Sequence, residues 1–211
     1  MANQNIFSKK GAEALIYVKD GVLVKERVKK NYRIHQIDDK IRNLRTGLES
    51  KLLSEAKRNG VNVPQIIEVD KQKSMIKMEF IDGKTIKEFF LKVNKNQIKE
   101  ISREIGRLIG VLHKSDIIHG DLTTSNMIIK DGKVYFIDFG LGYFSKRVED
   151  KGVDLKLLKE VLKSTHFKIL KICWDNILKG YKKEYKEADK VIERVKEIER
   201  RARYAQKQEQ V

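Results

Sequence analysis

The 211-residue sequence predicts an α+β fold in two lobes, a small antiparallel β lobe carrying one long helix and then a mainly helical lobe. Three observations carry this reading. Short apolar runs alternate with turn residues through the first third of the chain. After Asp82-Gly83 an apolar spacing of three to four residues takes over. The composition, 40% hydrophobic and 36% charged, is that of a helix-rich globular chain and not of a disordered one.

Ala14–Val18 and Val22–Val24 are apolar runs joined through Asp20-Gly21, a strong hairpin signal. A helix is expected from Asp38 to Asn59, closed by Gly60, with Ile41, Leu44, Leu48, Leu52 and Ala56 as one buried stripe. The single proline, Pro64, opens Gln65–Val69, which is expected to pair with Ser74–Phe80 through a turn at Asp70–Lys73. The division between lobes is placed at Phe80–Lys84, giving parts 1–82 and 83–211. Beyond it, Asn94 and Gln97 form a capping box, and Ile98, Ile101, Ile105, Leu108, Ile109 and Leu112 make the apolar face of a long helix. Met127–Ile129 and Val134–Ile137 flank Asp131-Gly132 as two short strands. From Val153 onward the chain reads as helical. Tyr181, Tyr185, Ala188, Ile192, Val195 and Ile198 form the stripe of the last helix, expected to dock on the core or on a partner.

Composition narrows the function classes. No apolar run approaches the ~18–20 residues that span a bilayer. The N-terminus lacks the apolar stretch of a secretory signal, so a cytoplasmic protein is expected. One cysteine, Cys173, in apolar company, excludes an internal disulfide and a CxxC zinc site and reads as buried. The net charge is +16. Clusters at Lys25, Arg27, Lys29, Lys30, Arg33 and at Arg200, Arg201, Arg203 are of the kind that bind phosphate backbones, although charge alone fits a solvated lysine-rich surface equally well.

The chemistry lies in His119-Gly120-Asp121-Leu122-Thr123-Thr124-Ser125-Asn126 and Asp138-Phe139-Gly140. Phosphoryl transfer from ATP needs a carboxylate at the acceptor hydroxyl and oxygen ligands for Mg²⁺ at the phosphates. Asp121 stands at the base position of an H-x-D-L-x-x-x-N loop. Asn126, five residues on, and Asp138, twelve beyond that, are the candidate metal ligands. Both motifs, in this order and at hairpin spacing, are specific for a kinase-type ATP site. His119 reads as an orienting residue and not as the base.

The first lobe supplies the nucleotide contacts. Lys25 sits in an apolar strand, where a lone lysine calls for an anionic partner, and it is assigned to the ATP phosphates. Its helical partner is Glu49 or Glu55, with Glu49 favoured by its mid-helix position. Ser8, Gly11, Ala12 and Glu13 lie in a loop that can cover phosphates. The backbone groups of Glu79 and Ile81 are placed at an adenine edge.

With these residues the chain resembles the small atypical kinases of the KEOPS complex, the bud-site-selection kinase lineage related to RIO-type kinases. The resemblance covers nearly the whole length. It rests on Gly11-Ala12-Glu13-Ala14, on the block from Val24 to Arg33, on His119–Asn126, on Asp138–Leu141, on Glu149–Leu155 and on Arg201-Ala202-Arg203-Tyr204, where Ala202 departs from the family's Arg-Gly-Arg. The resemblance implies a minimal bilobal protein-kinase-like fold. It implies ATP with Mg²⁺, or Mn²⁺ in its place, and an activity of ATP hydrolysis and autophosphorylation serving tRNA threonylcarbamoyladenosine modification. It also implies three partners: the threonylcarbamoyl-transferase subunit, fused to the kinase in some archaea, a small subunit on the N-lobe, and tRNA through the complex. Candidate tRNA contacts are Arg27, Lys29, Lys30, Arg33, Arg201 and Arg203.

Absences agree. Gly120 stands where an arginine would read a phosphorylated activation loop, and the segment Leu141–Asp150 is ten residues, too short to dock a peptide. Asp154 is expected to tie down the catalytic loop. Two other readings are a RIO-like or small-molecule kinase outside KEOPS, and a catalytically weak basic scaffold for tRNA and proteins.

Overall fold

The computed structural model describes residues 8–11 and 13–208, with only the backbone described for residues 8–10 and 203–208. Strands β1 (Ser8–Lys10), β2 (Ala14–Lys19) and β3 (Val22–Arg27) form an antiparallel meander. Asp20 and Gly21 take φ of 51° and 75°, so the Asp-Gly pair makes the left-handed two-residue turn that the twist of a hairpin favours. Strands β4 (Ile66–Asp70) and β5 (Met75–Glu79) complete a five-stranded sheet in the order β1-β2-β3-β5-β4.

Helix α1 spans His35–Arg58, starting three residues before the expected Asp38, and ends at Asn59 with Gly60 left-handed at φ 83°. Its expected stripe is corrected in its first half. Leu44 and Leu48 are exposed, at 63% and 37%, and the inward face is Asp38, Arg42, Thr46, Glu49, Leu52, Leu53 and Ala56. The helix turns a charged face to β3 and an apolar face to the core only in its last turns.

The second lobe opens with two elements the sequence reading did not separate, strand β6 (Lys84–Thr85) and the single turn α2 (Ile86–Phe89), capped by a Thr85–Glu88 box. Helix α3 (Lys95–Lys114) has its expected Asn94–Gln97 capping box and is the central post of this lobe. Strand β7 (Ile117–Ile118) follows, then β8 (Met127–Lys130) and β9 (Lys133–Phe136), which turn through left-handed Asp131 and Gly132. Strands β6, β8 and β9 form one small sheet, and β7 pairs with β10 (Tyr143–Phe144). Helices α4 (Val148–Thr165), α5 (Leu170–Glu184) and α6 (Ala188–Gln208) complete the lobe.

Helix thus begins at Val148, not Val153. The expected last stripe is divided between two helices: Tyr181 belongs to α5, and Tyr185 caps it. The α6 residues Val191, Ile192 and Val195 dock on this protein's own core, which runs without a break from Leu52, Ala56 and Ile76 of the first lobe to Ile105, Leu108, Leu158 and Ile177 of the second. Cys173 is fully buried, and that burial pushes its thiol up to about 11.

Candidate active site

The loop from β7 to β8 is held from behind by one carboxylate. Asp154 of α4, 2% exposed, accepts from the backbone N–H of Gly120 (2.9 Å) and of His119 (2.9 Å), and lies 3.3 Å from His113 Nε2. His113 Nδ1 continues the chain to the Tyr181 hydroxyl on α5 (2.8 Å), so three helices brace the loop. Gly120 has φ 79°, and a Cβ there would lie 2.2 Å from the Leu141 carbonyl. That crowding excludes any side chain, arginine above all, and is the physical reason for the glycine. His119 is fully buried. Its Nδ1 accepts from Asp121 N–H (3.3 Å), so the proton sits on Nε2 and is donated to the Ile137 carbonyl (3.2 Å). Burial pushes its pKa down against the nearby carboxylates, so the ring is neutral and orients the loop.

Asp121 and Asn126 close on each other. Asn126 Nδ2 donates to Asp121 Oδ2 (2.8 Å) and to the Asp121 carbonyl (3.0 Å). Across the cleft Asp138 takes φ 62°, a conformation disfavoured for a residue with a side chain and common at functional turns. Its Oδ1 accepts from Lys25 Nζ (2.7 Å) and Gly140 N–H (3.1 Å). Lys25 also reaches Glu49 Oε1 (2.6 Å), and Arg27 Nη2 holds Glu49 Oε2 (2.6 Å). Glu49 is therefore the helical partner of Lys25; Glu55 pairs with Arg58 instead. Burial opposes the charge on Lys25, but Glu49 and Asp138 outweigh it and hold the ammonium above its usual range. Burial likewise raises Asp138, and Lys25 outweighs it, holding the carboxyl below its usual range.

Two chambers meet at Ile16, Lys25 and Asp138. The inner one, of about 250 Å³, is walled by Leu23, Met78, Phe80, Ile81 and Ile128 and suits a flat base. Glu79 donates its N–H to the Gln65 carbonyl (2.8 Å), so its backbone can meet an adenine edge only through the carbonyl. The outer chamber, of about 320 Å³, is lined by Gly11, Glu13, Arg27, Asp121 and Gly140. Gly11 N–H bonds the Ala14 carbonyl in the tight β1–β2 turn, and Glu13 is tied to Arg45 (3.0 Å). Ala12 lies outside the described residues, as do the side chains of Ser8 and Arg203.

The basic cluster of the first lobe, expected to contact tRNA, is largely turned inward or paired. Arg27 is 5% exposed and lines the outer chamber. Arg33 pairs with Asp38 and Lys30 with Glu13, while Lys29 is exposed. Arg201 is exposed and pairs with Glu149 (3.0 Å). Sequence reasoning missed the placement of Arg27. The signal was present, since residues i and i+2 of a strand share a face and Lys25 was already assigned to the cleft.

The oxygen atoms left over fit Mg²⁺. Asn126 spends its NH₂ on Asp121, and neither its Oδ1 nor Asp138 Oδ2 has a partner among the described residues. Among those residues no cluster of three or more His, Cys, Asp or Glu could cage a metal. Two oxygen ligands on the protein, with phosphates and water supplying the rest, is the usual Mg²⁺ arrangement.

A buried Lys–Glu pair facing an Asp/Asn loop across an interlobe cleft defines a kinase-like phosphotransferase. Comparison with known proteins narrows that class. Residues 15–142 match the family model of the RIO domain. The KEOPS complex subunit Bud32 of Pyrococcus abyssi is 47% identical over 212 aligned positions, covering 94% of this chain and 96% of that protein. A probable bifunctional tRNA threonylcarbamoyladenosine biosynthesis protein of Methanobrevibacter smithii is 46% identical over 92% of this chain, which spans 36% of that longer protein. Among solved structures, the Rio2 kinase–ADP/Mg²⁺–phosphoaspartate complex from Chaetomium thermophilum aligns with a TM-score of 0.62 at 14% identity, over 94% of this chain and 70% of that one. WaaP in complex with acyl carrier protein aligns at 0.63 and 12%, over 92% and 87%; at such identities the likeness is one of fold. The chain belongs to the RIO domain family and, within it, to the family of the KEOPS subunit Bud32.

Proposed function

We propose that this protein is a Mg-ATP-dependent atypical serine/threonine kinase and ATPase of the cytoplasm that works within a KEOPS assembly in tRNA threonylcarbamoyladenosine modification. The observation that carries the reading is Lys25 Nζ, held between Glu49 and Asp138 at the junction of the two chambers, opposite Asp121 and Asn126. The lobes divide at 82/83, so Glu79 and Ile81 are the hinge at the adenine. The 47% identity to the Pyrococcus abyssi Bud32 subunit supports the assembly. The bifunctional relatives support a threonylcarbamoyl-transferase as the direct partner, with a small N-lobe subunit and tRNA completing it.

The residues divide the work as follows. Lys25, positioned by Glu49, neutralises phosphate oxygens. Asp121 has its Oδ2 fixed by Asn126 and an Oδ1 that accepts no hydrogen bond among the described residues. That oxygen takes the proton of an acceptor hydroxyl as the acceptor oxygen bonds to the γ-phosphorus. The bond from that phosphorus to the β–γ bridging oxygen breaks, and ADP leaves with the electron pair. With a protein hydroxyl as acceptor this is phosphorylation; with water it is ATP hydrolysis. Asn126 and Asp138 would hold Mg²⁺, which when bound would supply charge neutralisation at the phosphates.

The test is a radiolabelled-ATP assay on the wild-type chain and on Asp138→Ala, with and without tRNA and the transferase partner. Turnover that Asp138→Ala abolishes while the circular dichroism spectrum is kept is expected. Turnover unchanged in that variant refutes the site.

A further inference from the structure

Arg27 is a buried guanidinium whose bonding is incomplete. Of its five N–H donors, one Nη2–H is bonded, to Glu49, and the side chain makes no other hydrogen bond among the described residues. The single fully buried side-chain polar atom without a partner among those residues is Ser102 Oγ. The unbonded Nε and Nη1 of Arg27 are therefore not sealed in the core. Arg27 lines the outer chamber together with Asp121 and Gly140, and it also borders a second cavity beside Asp39 and Arg42; the approach of its Nη2 to Gly140 sets the guanidinium end on the chamber side.

The arrangement of the chambers assigns a partner. A nucleotide with its base in the inner chamber must run its phosphates past Lys25 and Asp138, which belong to both. The phosphate nearest the acceptor then lies in the outer chamber, where Arg27 is the residue two positions beyond Lys25 on the same face of β3. Arg27 also packs against the metal-binding turn, its Nη2 3.4 Å from where a Cβ of Gly140 would stand. The four side chains Lys25, Arg27, Glu49 and Asp138 sum to zero charge as they are paired. An arriving terminal phosphate adds negative charge that the free guanidinium donors can accept in the planar, two-donor fashion arginine favours.

We propose that Arg27 binds the terminal phosphate of ATP and makes this site discriminate a nucleoside triphosphate from a diphosphate. The inference rests on the nucleotide-site reading above and adds a residue and a specificity to it. It predicts a split between two ligands that a purely structural arginine would not produce.

The experiment is equilibrium binding, by titration calorimetry with Mg²⁺, of ADP and of a non-hydrolysable ATP analogue to the full chain and to Arg27→Gln and Arg27→Lys. Arg27→Gln is expected to weaken the ATP analogue by about ten- to a hundredfold, the worth of a charge-assisted bond, and to leave ADP within twofold. Arg27→Lys keeps the charge beside Glu49 and serves should the glutamine variant not fold; it is expected to show a smaller loss confined to the ATP analogue. Equal loss of both nucleotides means that Arg27 acts only by positioning Glu49, and overturns the inference alone. An unchanged preference for the triphosphate overturns it as well. Wild-type protein that binds neither nucleotide overturns the site reading and this inference together.

Discussion

Replacing Asp154 by Asn tests whether the catalytic loop is held by a single carboxylate. The substitution keeps size and shape, so no cavity forms. Asp154 Oδ1 takes Gly120 N–H, and Oδ2 takes His119 N–H and faces His113 Nε2. An amide nitrogen must occupy one of these places, and at either it meets a backbone N–H that it cannot accept from. The milder flip puts nitrogen against Gly120, breaking one charge-assisted bond worth about 1.5–3 kcal/mol and stranding a buried donor. The remaining bonds fall from charged to neutral strength, while the removal of a buried carboxylate offsets part of the loss. The net cost is about 2–4 kcal/mol. For a chain of this length each kcal/mol lowers Tm by about 2–4 °C, so a fall of roughly 5–15 °C is expected by circular dichroism. ATP turnover is expected to fall at least tenfold, because the loop that carries Asp121 loses its anchor. A Tm within 2 °C of wild type together with turnover within twofold would show that the three-helix brace does not hold the loop.

Glu49→Gln removes the carboxylate that Lys25 and Arg27 share, costs about 3–5 kcal/mol as a broken buried pair, and is expected to abolish ATP use, whereas Glu55→Gln stays within about 0.5 kcal/mol and keeps activity; denaturant titration and turnover check both. Acid should weaken the fold through His119. Its folded pKa is depressed below 6.5, so its contribution is complete above pH 6.5 and is lost as pH falls below that value, where the unfolded chain takes up a proton that the folded one refuses. His119→Asn is expected to be less stable at pH 7.5 but to flatten the loss between pH 6.5 and 5, in urea midpoints taken across that range; an unaltered slope contradicts the neutral-ring assignment. tRNA binding is expected to weaken steeply with salt, and Arg201→Ala/Arg203→Ala to reduce the log–log salt slope by about 1.5. The same slope in a filter-binding series leaves the tail a solvated face.

Helix α1 explains which parts of this molecule the sequence could reveal. Hairpins written by Asp-Gly pairs, the Asn94–Gln97 box and the two loop motifs are local signals, and all appear where local chemistry puts them. Strands β6, β7 and β10 are two residues each and exist only because a distant neighbour supplies their ladder, so no local pattern announces them. In α1 the pattern pointed to the wrong face. Ile41, Leu44 and Leu48 keep a helical period, yet the inward positions are Asp38, Arg42, Thr46 and Glu49. Periodicity assumes that burial follows hydrophobicity. Here the surface facing the helix is the face of the central strand β3 that carries Lys25 and Arg27, and a carboxylate neutralising two buried cations outweighs what a leucine would gain there. Asp38 does the same for Arg42 and Arg33, and Arg42 also reaches Asp39 and the Arg27 carbonyl. The charged half of α1 thus continues, through Glu49, the ion-pair network of Lys25 and Arg27. A sequence pattern that breaks the hydrophobic rule beside a motif lysine is itself a site signal, and by that signal Arg27 belongs with Lys25 and Glu49 and not with the surface charge.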